Sequence, residues 1–381
     1  MDYHIIEKTG WEVSTLSFGC MRFHDDETAA EAVRAAIDLG VNYFDVAPAY
    51  GGGTAEPRLG AGIKGLRDGI IVTAKSSPGN GGDGVGLDYS PATGFGIRSA
   101  DQARTQIERS MQISGVDHLD AYQLWACHGD AVFAEAVKPG GFLEGVVKAQ
   151  AEGLFDYIGM TTHMDSAGII RYLEGFDFDL ITIPFHLRDT SRVEAVEYCA
   201  ERGIGVIAMN PLAGGALARP FPVMQKLATS LGLESMTEAA LRYLVGYPGV
   251  TSALAGITFA AQAQEDARAV ERGPLPLGYD AALVDSLAEL YENVEHFCSG
   301  CGYCGECPEG ILIPQVLELY SNTLVPSAAE EAFATLAQKL AESPTGYDPS
   351  LCVACKACEA KCPNKLPISD LMAKATDKWP R

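Results

Sequence analysis

The stretch 13–48, VSTLSFGCMRFHDDETAAEAVRAAIDLGVNYFDVAP, decides the fold. Two short runs rich in β-branched and aromatic residues, VSTLSFG (13–19) and NYFDVAP (42–48), enclose ETAAEAVRAAIDLG (27–40), whose apolar residues recur at three and four. The helical run closes on Gly40, where a left-handed cap costs least. A strand, a helix and a second strand in this order form a crossover unit, which makes the two strands parallel. The alternation continues through strand candidates IIVTAK (70–75), LDAYQLW (119–125), YIGMTTH (157–163), LITIPF (180–185), GVIAMNP (205–211) and VTSALAGI (250–257). Helical patterns such as ADQARTQIERSMQIS, SRVEAVEYCAERG and MTEAALRYLVG lie between them. Eight units in about 270 residues predict an α/β fold of the (β/α)8 TIM-barrel type rather than an open doubly wound sheet. No G-x-G-x-x-G follows the first strand, which speaks against a Rossmann domain.

One connection stands apart. SSPGNGGDGVGLDYSPATGFGIRS (76–99) is long and rich in glycine, so it is either a mobile lid over the barrel mouth or a disordered insertion. A Pro/Gly-rich boundary, RGPLPLGYD (272–280), divides the chain into a barrel over 1–275 and a second domain over 276–381. Helical patterns at 281–296, IPQVLELYSN, SAAEEAFATLAQKLAES and PISDLMAKA make that second domain a small α-helical module.

Eight of the eleven cysteines fall in two short windows of that module, each closed by a proline. CVACKACEAKCP holds Cys352, Cys355, Cys358 and Cys362 at the C-x2-C-x2-C-x3-C-P spacing of a ferredoxin, in which three thiolates hold one 4Fe-4S cube and the fourth reaches the other. CSGCGYCGECP holds Cys298, Cys301, Cys304 and Cys307, with two residues instead of three before the last cysteine. Two 4Fe-4S clusters are the expectation, or one if the shortened run is distorted. Structural zinc is the alternative, although zinc usually takes two separated pairs of ligands.

A formal net charge of -22 argues against nucleic-acid binding through phosphate neutralisation. No apolar stretch is long enough to span a membrane, and MDYHIIEKTGWEV lacks the pattern of an export signal. Thiolate-bound clusters favour a reducing compartment, so the expected location is cytoplasmic.

Chemistry in such barrels sits at the C-terminal ends of the strands. The second strand puts Asp45 there with Tyr50 just beyond, and the third ends on Lys75. An ammonium beside a phenol favours the phenolate, and a carboxylate can hold the lysine in place. These pieces, together with DYIGMTT, ERGIGVIAMNPLAGGAL and ALRYLV followed by AGITFAAQAQED, resemble the aldo-keto reductase superfamily over roughly residues 3–270. The resemblance implies an NAD(P)(H)-dependent oxidoreductase acting on a small carbonyl or alcohol, with Tyr50 as general acid, Lys75 lowering its pKa and Asp45 pairing with Lys75. It also implies a histidine at the end of the fourth strand, five residues after Asp120, and this chain has Trp125 there. His128, three residues on, either takes that role or is a surface histidine.

The resemblance further implies nicotinamide contacts from Thr161, Thr162, His163, Thr182 and His186, with Met209 in place of the usual stacking aromatic. Gly256, Thr258, Gln262 and Asp266 match its phosphate and adenosine segment, but no basic residue lies between Gly256 and Asp266, so NADPH selectivity has no support there. Cys20, Cys127 and Cys199 read as packing residues. The clusters would relay single electrons to a ferredoxin, a flavoprotein or a partner redox subunit, or else staple the tail. The alternative is an electron-transfer subunit or scaffold whose barrel no longer transfers hydride.

Overall fold

In the computed structural model, which describes residues 1–82, 84–218, 222–276, 279–296, 298, 300, 302–362 and 364–379, the eight apolar runs are eight parallel strands of one closed barrel. A two-stranded hairpin precedes them, β1 (Tyr3–Ile6) and β2 (Trp11–Ser14). The barrel strands are β3 (Leu16–Gly19), β4 (Tyr43–Asp45), β5 (Ile71–Ser76), β6 (Leu119–Leu124), β7 (Phe155–Thr161), β8 (Leu180–Pro184), β9 (Gly205–Met209) and β10 (Ser252–Gly256). They pair in sequence order, and β10 closes the ring against β3. The first candidate run, 13–19, is thus divided between the end of the hairpin and the first barrel strand.

Local chemistry starts and stops the helices. Asp25 accepts the Thr28 N–H at 2.9 Å ahead of the helix Asp26–Asp38, and Ser99 accepts the Gln102 N–H at 3.2 Å ahead of Ala100–Ser114. The latter ends on Gly115 at φ +64, a backbone state that costs glycine nothing.

Alternation along the strands sends every second side chain into the barrel. Tyr43, Ile71, Ala121, Leu180, Ile207 and Leu254 pack there with Ile6 and Val13 of the hairpin, which closes the end where the strands begin. The layer above is polar: Asp45, Thr73, Gln123 and Thr182 are all buried. Lys75, Trp125 and Met209 follow at the strand ends.

The chain forms two compact units, one of Met1–Pro211 with Leu241–Leu275 and the other of Leu212–Ala240 with Pro276–Arg381. The second unit contains the helices Ile313–Thr323, Ala329–Glu342 and Ile368–Lys378 around a core that includes Val316, Leu317, Leu336, Leu371, Met372 and Trp379. The Trp379 indole N–H donates to the Tyr347 carbonyl at 2.8 Å, tying the last helix to the segment ahead of the second cysteine run. No helix among the described residues is long and apolar enough to cross a membrane.

Candidate active site and cluster module

Strand neighbours β4 and β5 bring Asp45 and Lys75 together, and the Lys75 ammonium donates to Asp45 Oδ1. Both are almost fully buried, at 1% and 2% exposure, so each charge depends on the other. Asp45 Oδ2 accepts from Gln123 Nε2 at 2.9 Å and from Thr73 Oγ1 at 3.2 Å. Gln123 is itself oriented, because its Oε1 accepts from Thr182 Oγ1 at 3.0 Å. A chain of side chains from β8 through β6 therefore fixes the carboxylate that fixes the lysine. Above them the Lys75 ammonium stands 4.9 Å from the centroid of the Tyr50 ring, within cation–π range.

Trp125 follows β6 directly and occupies the position where the resemblance implies histidine. It is 2% exposed and meets the Tyr50 ring edge-on, with centroids 5.6 Å apart at 86°. It also stacks on Phe95, at 4.4 Å and 24°. Phe95 comes from the 76–99 connection, whose described residues 76–82 and 84–99 are tied to one another by hydrogen bonds rather than forming a disordered insertion. Ser77 N–H donates to Gly94 O at 2.8 Å, Ser90 N–H to Phe95 O at 3.1 Å and Gly96 N–H to Gly79 O at 3.1 Å. The Arg98 guanidinium bridges the Pro78 and Leu87 carbonyls.

His128 is not a surface histidine: it is 2% exposed, and its Nδ1 accepts the His163 N–H at 3.1 Å. The two imidazoles meet edge to face at 4.8 Å. Burial, reinforced by His163 and Arg192, pushes His128 well below its ordinary pKa, so the ring is held neutral. Arg192 organises the same corner by donating to the His163 and Met164 carbonyls and to Asp189, each at 2.8 Å. Burial likewise lowers His186 to about 4.

The three threonines expected at the nicotinamide have protein partners. Thr161 Oγ1 accepts the Ala126 N–H at 3.1 Å, Thr162 Oγ1 donates to Cys127 O at 2.5 Å, and Thr182 binds Gln123 as described. They shape the loops at the mouth, while each hydroxyl oxygen keeps acceptor capacity. Met209 is half-buried at the end of β9.

At the end of β10, Gln262 Oε1 accepts the N–H groups of Thr258 at 2.8 Å and Phe259 at 3.1 Å, capping the helix Ala260–Glu271. Gly256 is exposed, and a Cβ placed on it would stand 3.1 Å from Arg22 Cγ. Arg22 thus brings to this segment a basic side chain that residues 256–266 lack. Asp266 is buried, and burial with the neighbouring Glu265 carboxylate raises its pKa to about 7.

The Asp266 shift has a measurable consequence. A carboxyl raised from 3.8 to about 7 in the folded chain binds its proton more tightly there than when unfolded, so its contribution is full below pH 3.8 and is lost as pH rises towards 7. Asp266→Asn cannot ionise, and it is expected to raise stability above pH 7 by a few kcal/mol. Urea unfolding of both proteins from pH 4 to 8 checks this, and the difference is expected to grow with pH.

Signals for Gln123 and Phe95 were weak in the sequence. Gln123 lies two residues before Trp125 and therefore shares its inward face, whereas Phe95 sits within a glycine-rich run without periodicity.

In the second unit Cys298, Cys304, Cys307, Cys352, Cys358 and Cys362 pack against the helical core, and Cys355 is exposed. Cys301 lies outside the described residues. None of the seven described cysteines of the runs forms a disulfide. Among the described residues no three histidine, cysteine or carboxylate side chains converge on a single-ion site. A cube makes a different demand, since each thiolate binds its own iron and the ligands stand apart.

The backbone fits a cluster. Gly300 and Gly302 have φ +66 and +78, and Ala354 and Lys356, at the equivalent places in the second run, have φ +52 and +59. Left-handed alanine and lysine are strained, and such strain is retained where a site requires it. In the second run Cys355, between these two, is not left-handed, and such alternation turns successive N–H groups to one side, which suits an anionic cluster.

Burial pushes the thiols of Cys20, Cys127 and Cys199 up, the last to about 12, which disfavours thiolate and matches a packing role.

A family model for the aldo/keto reductase family matches residues 15–289, and one for a 4Fe-4S dicluster domain matches residues 297–367. The chain is similar to L-galactose dehydrogenase of Arabidopsis thaliana, 25% identical over 329 residues, which span 78% of this chain and 96% of that one. An aldo-keto reductase from Bacillus halodurans in its holo form superposes with a TM-score of 0.61 at 23% identity, covering 75% of this chain and 96% of that one. An aldo/keto reductase from Klebsiella pneumoniae, in complex with NADP and acetate, gives a TM-score of 0.60 at 22% identity over 75% of this chain and 95% of that one. The two structural likenesses concern the fold.

Proposed function

Since this chain belongs to the aldo/keto reductase family, is an oxidoreductase and carries a 4Fe-4S dicluster domain, we propose that its barrel interconverts a small carbonyl compound and the corresponding alcohol with NAD(P)(H), and that two 4Fe-4S clusters relay electrons to a ferredoxin, flavoprotein or partner redox subunit. The observation that carries the barrel half is the buried Asp45–Lys75 pair beneath Tyr50. When bound, the nicotinamide supplies or accepts a hydride and the clusters exchange single electrons.

Tyr50 gives its phenolic proton to the carbonyl oxygen as negative charge grows there. The Lys75 ammonium stabilises the charge left on the phenol, and Asp45, itself held by Gln123 and Thr73, keeps the lysine in place. In the alcohol-oxidising direction Tyr50 takes the proton back. His128, held neutral and engaged with His163, helps to shape the floor of the mouth rather than replacing the missing histidine.

Thr161, Thr162 and Thr182 line the nicotinamide side. Gly256, Thr258, Gln262 and Asp266 form the adenosine side, with Arg22 offering positive charge to the phosphates. NADH and NADPH are both candidates. Cys298, Cys301, Cys304 and Cys362 would hold one cube, and Cys352, Cys355, Cys358 and Cys307 the other.

Anaerobically purified protein is expected to contain about eight irons per chain, because eight thiolates satisfy two cubes. Iron analysis with EPR of the reduced state checks the number; four irons and one signal in fully loaded protein would reduce the assignment to one cluster.

A staple role has its own support, since six of the cysteines pack against the core of their own unit. Anaerobic titration with NADH or NADPH in the presence of the alcohol product separates the two roles. Bleaching of the cluster absorbance supports relay. Clusters that stay oxidised, in a protein whose second unit unfolds when iron is chelated, support the staple.

A further inference from the structure

A cavity of about 370 Å³ opens at the end of the barrel where the strands begin, opposite Asp45 and Lys75. Residues 4–7 of the hairpin line it, with parts of the connections 200–204 ahead of β9 and 245–251 ahead of β10, all in the first unit. Its polar side is negative. The Glu7 carboxylate lies against Gly203, where an added Cβ would stand 3.1 Å from Glu7 Oε2. The helices Val193–Ala200 and Met236–Val245 both end at this wall, and the C-terminal end of a helix carries partial negative charge. No lysine or arginine lines the cavity. Lys8, next to Glu7 in the chain, pairs with Asp177 instead, while Arg202 donates to the Tyr198 carbonyl and Arg242 to the carbonyls of Gly273 and Pro274. His4 Nδ1 stands 3.0 Å from the Thr251 carbonyl, which only accepts, so Nε2 of the neutral ring remains an acceptor. The other walls are apolar: Ile204, Val250 and Ile5, which is 63% exposed.

We infer that this cavity binds a small alkylammonium ion, with the charged end at Glu7 and the hydrocarbon chain along Ile5, Ile204 and Val250. An ammonium brings three donors and no acceptor, which suits a wall that offers a carboxylate, an imidazole nitrogen and helix-end carbonyls. An anion would meet Glu7 and two helix C-termini, and is excluded by the same charges. A bare inorganic cation would leave the apolar walls wet, whereas an alkyl chain removes them from water. The volume lies in the range of small-molecule sites. A bound ion would join the hairpin to the connections ahead of β9 and β10, so occupancy stabilises the folded barrel. The inference goes beyond the reductase reading and does not depend on it, because the cavity and the Tyr50 site lie at opposite ends of the strands.

The test is calorimetry on the full-length, cluster-loaded protein, kept anaerobic at physiological ionic strength so that the net negative charge of the chain is screened. The probe is n-pentylamine, compared with methylamine, 1-pentanol and pentanoate. One n-pentylamine is expected to bind per chain, at least about tenfold more tightly than methylamine, which lacks the chain, or 1-pentanol, which lacks the charge. Pentanoate is expected not to bind. Glu7→Gln is expected to weaken n-pentylamine at least about tenfold and to abolish the rise in Tm that the amine gives the wild type. Glu27→Gln, which removes an exposed carboxylate from the helix Asp26–Asp38, is expected to keep the affinity within about twofold and so separates the cavity from the acidic surface at large. Absence of saturable n-pentylamine binding up to about 10 mM overturns the inference. So does an affinity that Glu7→Gln leaves unchanged, one that both substitutions lower equally, or one that methylamine or pentanoate matches.

Discussion

Tyr50→Phe is expected to lower kcat by roughly two to four orders of magnitude while leaving iron content and nucleotide affinity at wild-type levels. The substitution removes the one proton the reaction needs and keeps the ring that Lys75 and Trp125 contact. Packing is therefore preserved while proton transfer is not. Lys75→Met acts in the same direction, because the phenol then releases its proton without a neighbouring positive charge. Steady-state kinetics on an active aldehyde, at equal cluster loading, provide the comparison. Near-normal turnover in Tyr50→Phe would remove the proposed acid, and a collapse confined to His128→Ala would move that role to the loop after β6.

Asp45→Ala is expected to destabilise the barrel by about 3–5 kcal/mol, the cost of leaving one member of a buried pair uncompensated. Lys75 is 2% exposed, so water cannot replace the lost carboxylate, and Gln123 Nε2 and Thr73 Oγ1 lose an acceptor together. The double variant Asp45→Ala/Lys75→Met removes the stranded charge and is expected to recover most of that loss. The urea midpoints of the single and double variants measure the coupling. A double variant as unstable as the sum of the singles would show that the pair does not act as a unit. The kinetic comparison of Lys75→Met belongs well below its lowered midpoint for the same reason.

The barrel was legible because parallel strands buried on both faces read as continuous apolar runs, as LITIPF and GVIAMNP do. The hairpin was not. YHII and WEVS are four residues each, and their purpose is tertiary: Ile6 and Val13 close the barrel floor. The adjacency of Asp45 and Lys75 follows from their places at the ends of neighbouring strands, which the order of the runs already implied.

Gln123 escaped notice because its inward direction has meaning only once the barrel is closed. Residues 76–99 looked structureless because their order comes from bonds between distant positions, Ser77 with Gly94 and Gly79 with Gly96, that no local pattern encodes. The burial of His128 depends on His163 and Arg192, contributed by the next two loops, and was equally invisible. In the cysteine runs spacing carried the chemistry, while the left-handed Ala354 and Lys356 could not be read from residue type.

Hydride passes directly from nucleotide to substrate at the barrel mouth in the proposed reaction, with the proton coming from Tyr50. The fate of deuterium tests this when the cluster-loaded enzyme reduces an aldehyde with NADH or NADPH dideuterated at C4, and with each of the 4R and 4S monodeuterated forms. One deuterium is expected at the carbinol carbon from the dideuterated nucleotide and from only one of the two monodeuterated forms, with loss of that product in Tyr50→Phe. Alcohol without deuterium from the dideuterated nucleotide, or product formed only when a one-electron reductant such as dithionite is supplied, would rule out direct hydride transfer and leave the barrel as a scaffold for the clusters.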